Sequence, residues 1–148
     1  MGLISIRFLP SEQRVIVTGS GDLAVSDMMD AVSRIYSDAQ FERGIRMMAD
    51  FRAARLMLSA DNVWTVAGFV SRNLERRGKG KCAVITGRDV DYGVIRMAQA
   101  YLEDVAVELG AFRNIEDAEG WLERQGVAEG QGCSGRSGPG CVNETRRS

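Results

Sequence analysis

The sequence predicts an α/β domain built on a mostly parallel sheet, and three observations lead there. Short β-branched or apolar runs recur at Leu3–Leu9, Arg14–Thr18, Ile45–Asp50, Cys82–Thr86 and Val105–Phe112. Between the last four of these runs lie stretches whose apolar residues return every three or four positions, as on one face of a helix. The run CAVIT at Cys82–Thr86 is apolar without alternation, as in a strand covered on both faces. Strands alternating with helices imply crossover connections, helical layers and parallel neighbours.

The expected order is ββαβαβαβα, with the first strand antiparallel to its neighbour. LISIRFL and RVIVT are separated only by Pro10-Ser11-Glu12-Gln13, a short connection that suits a hairpin. Gly19-Ser20-Gly21-Asp22 is expected to break the second strand and lead into a helix over Val25–Ser37. Met28, Val32 and Ile35 with Tyr36 share one face of that helix, and Asp22 or Ser26 is placed to cap it. The organising stretch is Gly44–Leu74: a buried strand at Ile45–Asp50, a polar loop at Phe51–Leu58, then a helix over Ser59–Leu74. Ser59 stands as its N-cap, and Val63, Val66, Ala67, Val70 and Leu74 form its buried stripe. Arg72, Arg76 and Arg77 fall near its C-terminus, where each positive charge complements the helix dipole by ~0.3–1 kcal/mol.

After CAVIT, Gly87-Arg88-Asp89 turns the chain into a helix over Asp91–Glu103, with Val94, Ala98, Tyr101 and Leu102 inward. Val105–Phe112 supplies the last strand. Asn114 caps a final helix reaching Arg124, buried through Ile115, Ala118, Trp121 and Leu122. The α/β domain is thus expected over residues 1–125. Residues 126–148 are rich in Gly and Ser with few large apolar side chains. They cannot offset their ordering entropy by burial, and a disordered tail is expected.

Composition narrows the function classes. The 148 residues are 45% hydrophobic with a formal net charge of −1, which gives no long-range pull toward nucleic acid or anionic membranes. There is no histidine, so Ser-His-Asp and Cys-His nucleophile systems and His-ligated zinc are excluded within the chain. The three cysteines make no disulfide framework. Cys82, in an apolar strand, reads as a buried thiol, whereas Cys133 and Cys141 sit in the tail, too far apart for a CxxC pair. No basic segment followed by an apolar run opens the chain, and no apolar run approaches the ~20 residues of a membrane span. A cytoplasmic setting is the expectation, with no cofactor, no metal site, no nucleic acid and no membrane span.

Four motifs resemble the STAS-like superfamily, and within it the small bacterial SpoIIAA-like proteins related to STAS and SEC14 domains. These are GSGDL at Gly19–Leu23, DFRAARL at Asp50–Leu56, YGVIRM at Tyr92–Met97 and FRNIEDAEGWL at Phe112–Leu122. The resemblance covers about Leu3–Arg124. It implies a β-α superhelix and a non-enzymatic regulatory or protein-interaction module with a protein partner, and it leaves oligomeric state, a dimer included, open. Anti-sigma antagonists of this superfamily carry a phosphorylatable serine in a D-S-S-G-like turn. The corresponding stretch here is Leu58-Ser59-Ala60-Asp61. Ser59 is thereby the phospho-acceptor candidate, although the second serine and the glycine are missing.

Three sites follow. In an open α/β sheet, ligands bind outside the carboxyl ends of the strands. Arg52 and Arg88, with the amides of Ser20 and Gly21, could hold an anion there; the alternative is that Asp50, Arg52, Arg88 and Asp89 pair among themselves. GSGD lacks the third glycine of a dinucleotide fingerprint and the lysine of a phosphate loop. Trp64 and Tyr92 start helices near the same edge and could line an apolar cleft for a small molecule or lipid, against the alternative of core packing. The face around Phe51–Val63 is the expected protein-docking surface, with Ser59 read either as a phosphorylation site or as a plain cap. An enzyme using Asp50 or Asp89 as a base is a further reading, with no activated nucleophile beside either. The cluster Arg72–Lys81 lacks the interleaved aromatics of a nucleic-acid surface and reads as a solvated helix end.

Overall fold

The structure, a computed structural model, describes residues 2–73, 78, 80–103, 108–124, 136–138 and 140–145. Strands β1 (Leu3–Leu9), β2 (Arg14–Ala24), β3 (Arg46–Met57), β4 (Cys82–Thr86) and β5 (Leu109–Phe112) form one sheet in that order. β1 is antiparallel to β2, and the other pairs are parallel. Among the described residues four α-helices accompany them: α1 (Val25–Ser37), α2 (Ala60–Arg72), α3 (Asp89–Tyr101) and α4 (Ile115–Glu123). The order ββαβαβαβα is therefore the one expected. Each parallel crossover steps one strand in the same direction, so helices of a common hand fall on one side of the sheet. α1 and α3 pack there, through Ile35, Tyr36 and Ile95. Among the described residues α4 covers the other side, where Ala118 and Leu122 meet Met48, Ala83 and Ile85.

β2 and β3 are longer than the sequence suggests. Gly19–Asp22 does not break β2; the strand runs on to Ala24, paired with β3 as far as Ala24↔Met57. The stretch Phe51–Leu58 is accordingly not a loop but, through Met57, the second half of β3. Register shifts between Thr18↔Asp50 and Ser20↔Ala53, which inserts one extra residue into β3. Such a bulge resets side-chain phase, so Phe51 and Ala54, three apart, both face the core. The glycines permit this crossing. A Cβ at Gly19 would lie 2.7 Å from the Phe51 ring, and Gly21 takes a φ of 74°.

Helix ends follow the sequence in part. Ser59 Oγ accepts from Asn62 N at 3.2 Å while Asn62 Oδ1 accepts from Ser59 N at 3.1 Å, a reciprocal cap of α2. Asn114 caps α4 through Asp117 N at 2.9 Å. α1 differs: neither Asp22 nor Ser26 caps it, and Asp27 instead accepts from Ala24 N at 2.8 Å. α3 buries Asp91 and Ile95, and Leu102 just past its end is buried too, while Tyr101, expected inward, is 37% exposed. Leu74, Arg76, Arg77, Val105 and Cys133 lie outside the described residues. So does most of the stretch expected to be disordered, within which Arg136–Gly138 and Gly140–Thr145 pair as a separate antiparallel ribbon.

Candidate functional site

Strand alternation sends Val17, Met47, Ala49, Cys82, Val84 and Leu109 to the side carrying α1–α3. α2 finds its main neighbours in α1 and α3 rather than in the strands. It therefore stands off the sheet as a roof, and a cavity of about 140 Å³ lies in this layer. The roof contributes Val66, Ala67 and Val70, the sides contribute Met28, Ala31, Val32, Ile35 and Tyr36 from α1, Ile95 and Ala98 from α3, and Leu102 just past the end of α3. Every lining residue is apolar apart from the phenol of Tyr36 and the thiol of Cys82. At ~24 cal/mol per Å³, a void of this size left unfilled would cost about 3 kcal/mol. Cys82 is half-buried on this lining, less enclosed than its apolar strand suggested.

The expected cleft residues lie elsewhere. Trp64 is 63% exposed and stacks edge-to-face on Tyr101 with ring centroids 4.6 Å apart. Tyr92 lies beneath the Arg113 guanidinium, 5.7 Å from the ring centroid. Neither lines this cavity. Their spacing puts both near helix starts, but alternation of inward positions points the enclosed space at the middle of α2.

At the carboxyl edge, the structure does not gather Arg52 and Arg88 around a common point. Arg52 Nε and Nη2 donate to Asp50 at 2.9 and 2.7 Å. The guanidinium hydrogen bond is the main reason the Asp50 carboxyl is held below its ordinary value, against desolvation that raises it. Arg88 grips the fully buried Asp91 through two bonds of 3.0 and 2.9 Å. Asp91 lies in the first turn of α3, where the helix dipole also favours a carboxylate. Arg113 binds Asp89 at 2.6 Å and the Gly87 carbonyl at 3.1 Å. Ser20 and Gly21 belong to the β2 ladder, paired with Ala53 and Ala54. Each arginine here is thus matched to its own aspartate, but of the four residues expected to pair among themselves only Asp50 and Arg52 do so; Arg88 takes Asp91, and Asp89 takes Arg113.

Of the face expected for protein docking, Phe51 and Val63 are buried at 3% and 2% exposure, while Arg52, Arg55, Met57 and Trp64 are exposed. Ser59 joins strand to roof as the cap already described. Among the described residues no group of His, Cys, Asp and Glu could hold a metal ion, and no helix is long and apolar enough to cross a membrane.

No family model matches the chain, and no curated protein matches it. A solved structure does: an uncharacterised protein of the DUF3478 family with a SpoIIAA-like fold, from Shewanella loihica PV-4. The two share 18% identity with a TM-score of 0.53, over 82% of this chain and 93% of that one. The fold is SpoIIAA-like. At this level of identity the likeness carries the architecture, an α/β sheet with an antiparallel first strand, and nothing of activity.

Proposed function

We propose that this SpoIIAA-like chain is a non-enzymatic binding module that takes a small molecule into the apolar cavity under α2. The observation that carries the reading is the apolar lining of a pocket of about 140 Å³ between the roof helix and the sheet. Ligand sites are typically concave, mostly apolar and largely pre-formed. The non-enzymatic part rests on chemistry: the chain has no histidine, and Asp50 and Asp89, the carboxylates placed to act as bases, each hold an arginine. The test is native mass spectrometry of the purified chain beside an Ala67→Leu variant, followed by a fragment screen. A mass retained by the first and absent from the second supports the reading. If neither retains anything, and no fragment perturbs a cavity residue, the module has no ligand here.

A second reading, docking of a protein partner, has its own observation. Trp64 and Tyr101 form an exposed aromatic pair, and Met97 lies one turn before Tyr101 on the same face of α3. Exposed aromatic anchors of this kind are where binding energy concentrates. A partner recovered by the wild-type chain and lost with Trp64→Ala would support it. Recovery undiminished by Trp64→Ala would remove this surface from consideration.

A further inference from the structure

Resting on the cavity reading above, we infer that the ligand is a compact, uncharged, ring-sized apolar molecule, and that the site rejects acyl chains with an anionic head. Volume argues first. A cavity of about 140 Å³ compares with the ~150 Å³ apolar cavity that binds benzene or xenon, and falls below the ~300–1,000 Å³ of pockets for drug-sized ligands. A single aromatic or branched ring fits, and a long acyl chain does not.

Charge argues next. A carboxylate or phosphate head would need a cation at the rim, since an unpaired buried charge costs several kcal/mol. Among the described residues, none of those lining the cavity is charged. Two of the described basic residues adjoining the lining strands face away: Arg46 and Lys81 donate to carbonyls at the end of α4, on the opposite side of the sheet. Arg88, at the start of α3, is committed to the buried Asp91. A lining without charged side chains among the described residues suits a neutral ligand.

Adaptability completes the argument. Met28 and Met47 contribute flexible, polarisable side chains that can conform to a small ring. The roof presents Val66, Ala67 and Val70, so its inner surface is shallow, and one added side chain at Ala67 would occupy the space.

The experiment uses the full chain with methyl-labelled methionines and three probes: toluene, indole and decanoate. The methyl signals of Met28 and Met47 report on the cavity, and those of Met57 and Met97, both exposed, serve as controls. Toluene or indole should shift Met28 and Met47 saturably, leave the controls unmoved and raise Tm. Ala67→Leu should weaken that response at least tenfold. Val70→Phe is the second filling variant should Ala67→Leu fail to give a native spectrum, and Trp64→Ala should bind normally. Decanoate should leave Met28 and Met47 unchanged. If decanoate moves them as strongly as the rings do, the ligand class is overturned while the cavity reading survives. If no probe moves them, both are overturned.

Discussion

The two sides of the sheet are built from the same strands yet solve the packing problem differently. On the α4 side, alternate residues Met48, Ala83 and Ile85 meet Ala118 and Leu122 directly, all at 2% exposure or less. Polar bonds then fix the helix end: Lys81 Nζ donates to the Trp121 and Arg124 carbonyls at 2.9 and 2.8 Å, and Arg46 to the Leu122 carbonyl at 3.1 Å. On the other side three helices share the work, and the middle one makes its main contacts with its neighbouring helices. The difference teaches that a bound helix and a roofing helix can carry equally apolar stripes. What separates them is whether the strand beneath supplies a side chain large enough to reach. Ala49 does not, and Ala31, Ala67 and Ala98 face the same space.

The sharpest way to break that comparison is to truncate one side chain on each side. Leu122→Ala should cost about 3 kcal/mol, within the ~2–5 observed for fully buried leucines, because its surroundings are close-packed and fixed. Val66→Ala, half-buried at the roof, should cost only about 1 kcal/mol by the methylenes removed. Urea denaturation of both variants measures this. Equal losses would mean that the roof is packed as tightly as α4.

Removing the polar anchor of α4 comes next. Lys81→Met keeps the length of the side chain but leaves two carbonyls without their donor and removes the cation 4.9 Å from the Trp121 ring centroid. The expected loss is ~1–2 kcal/mol, with fraying at the end of α4 visible in amide exchange. Opposing it is the cost of burying the ammonium, which lowers the Lys81 pKa. A Met variant as stable as the parent would show that burial and bonding cancel at this position.

The caps allow a like-for-like test on both sides. Ser59→Ala at the roof and Asn114→Ala at α4 should each cost ~1 kcal/mol. Ser59→Asp should retain most of the stability, because a carboxylate both caps and complements the helix dipole. A stable Ser59→Ala would mean that the serine is kept for its hydroxyl chemistry and not for the cap.

How much of this was legible in the residues depends on range. Alternation and three-to-four spacing located every described helix and the hairpin, since each element carries its own pattern. The second half of β3 was also written there: Ala54 and Leu56 are buried, while Ala53, Arg55 and Met57 are exposed, a period of two. It reads as a loop because the bulge at Phe51–Arg52 shifts that period by one residue and two arginines interrupt it. GSGD likewise reads as a break because glycine usually marks turns; here it makes room for the Phe51 ring. The pairing of each edge arginine with a nearby aspartate follows from sequence separations of two and three for Arg52 and Arg88. Arg113 and Asp89 are 24 residues apart, a contact that only the fold creates. The cavity was least visible, since it arises from how far α2 stands above the strands, and the inward alanines were its only trace.

The smallest effect expected concerns pH and belongs to the α4 side, where Asp50 follows Met48 on the same face of β3. Its carboxyl is held below the ordinary value of 3.8 chiefly by the Arg52 hydrogen bond. Because the folded state binds that proton less readily than the unfolded chain, the pair contributes stability above pH 3.8, and the contribution fades as pH falls through the lower folded value. Arg52 is largely solvent-facing, so the effect is a modest one. Asp50→Asn should therefore lower stability slightly at neutral pH and flatten the acid limb of the stability profile. No comparable ion pair reaches the cavity lining among the described residues, so the methyl signals of Met28 and Met47 should stay unchanged over the same range. If those signals move with Asp50 while the domain remains folded, the two sides are coupled through β3, and the roof is not independent of the α4 side.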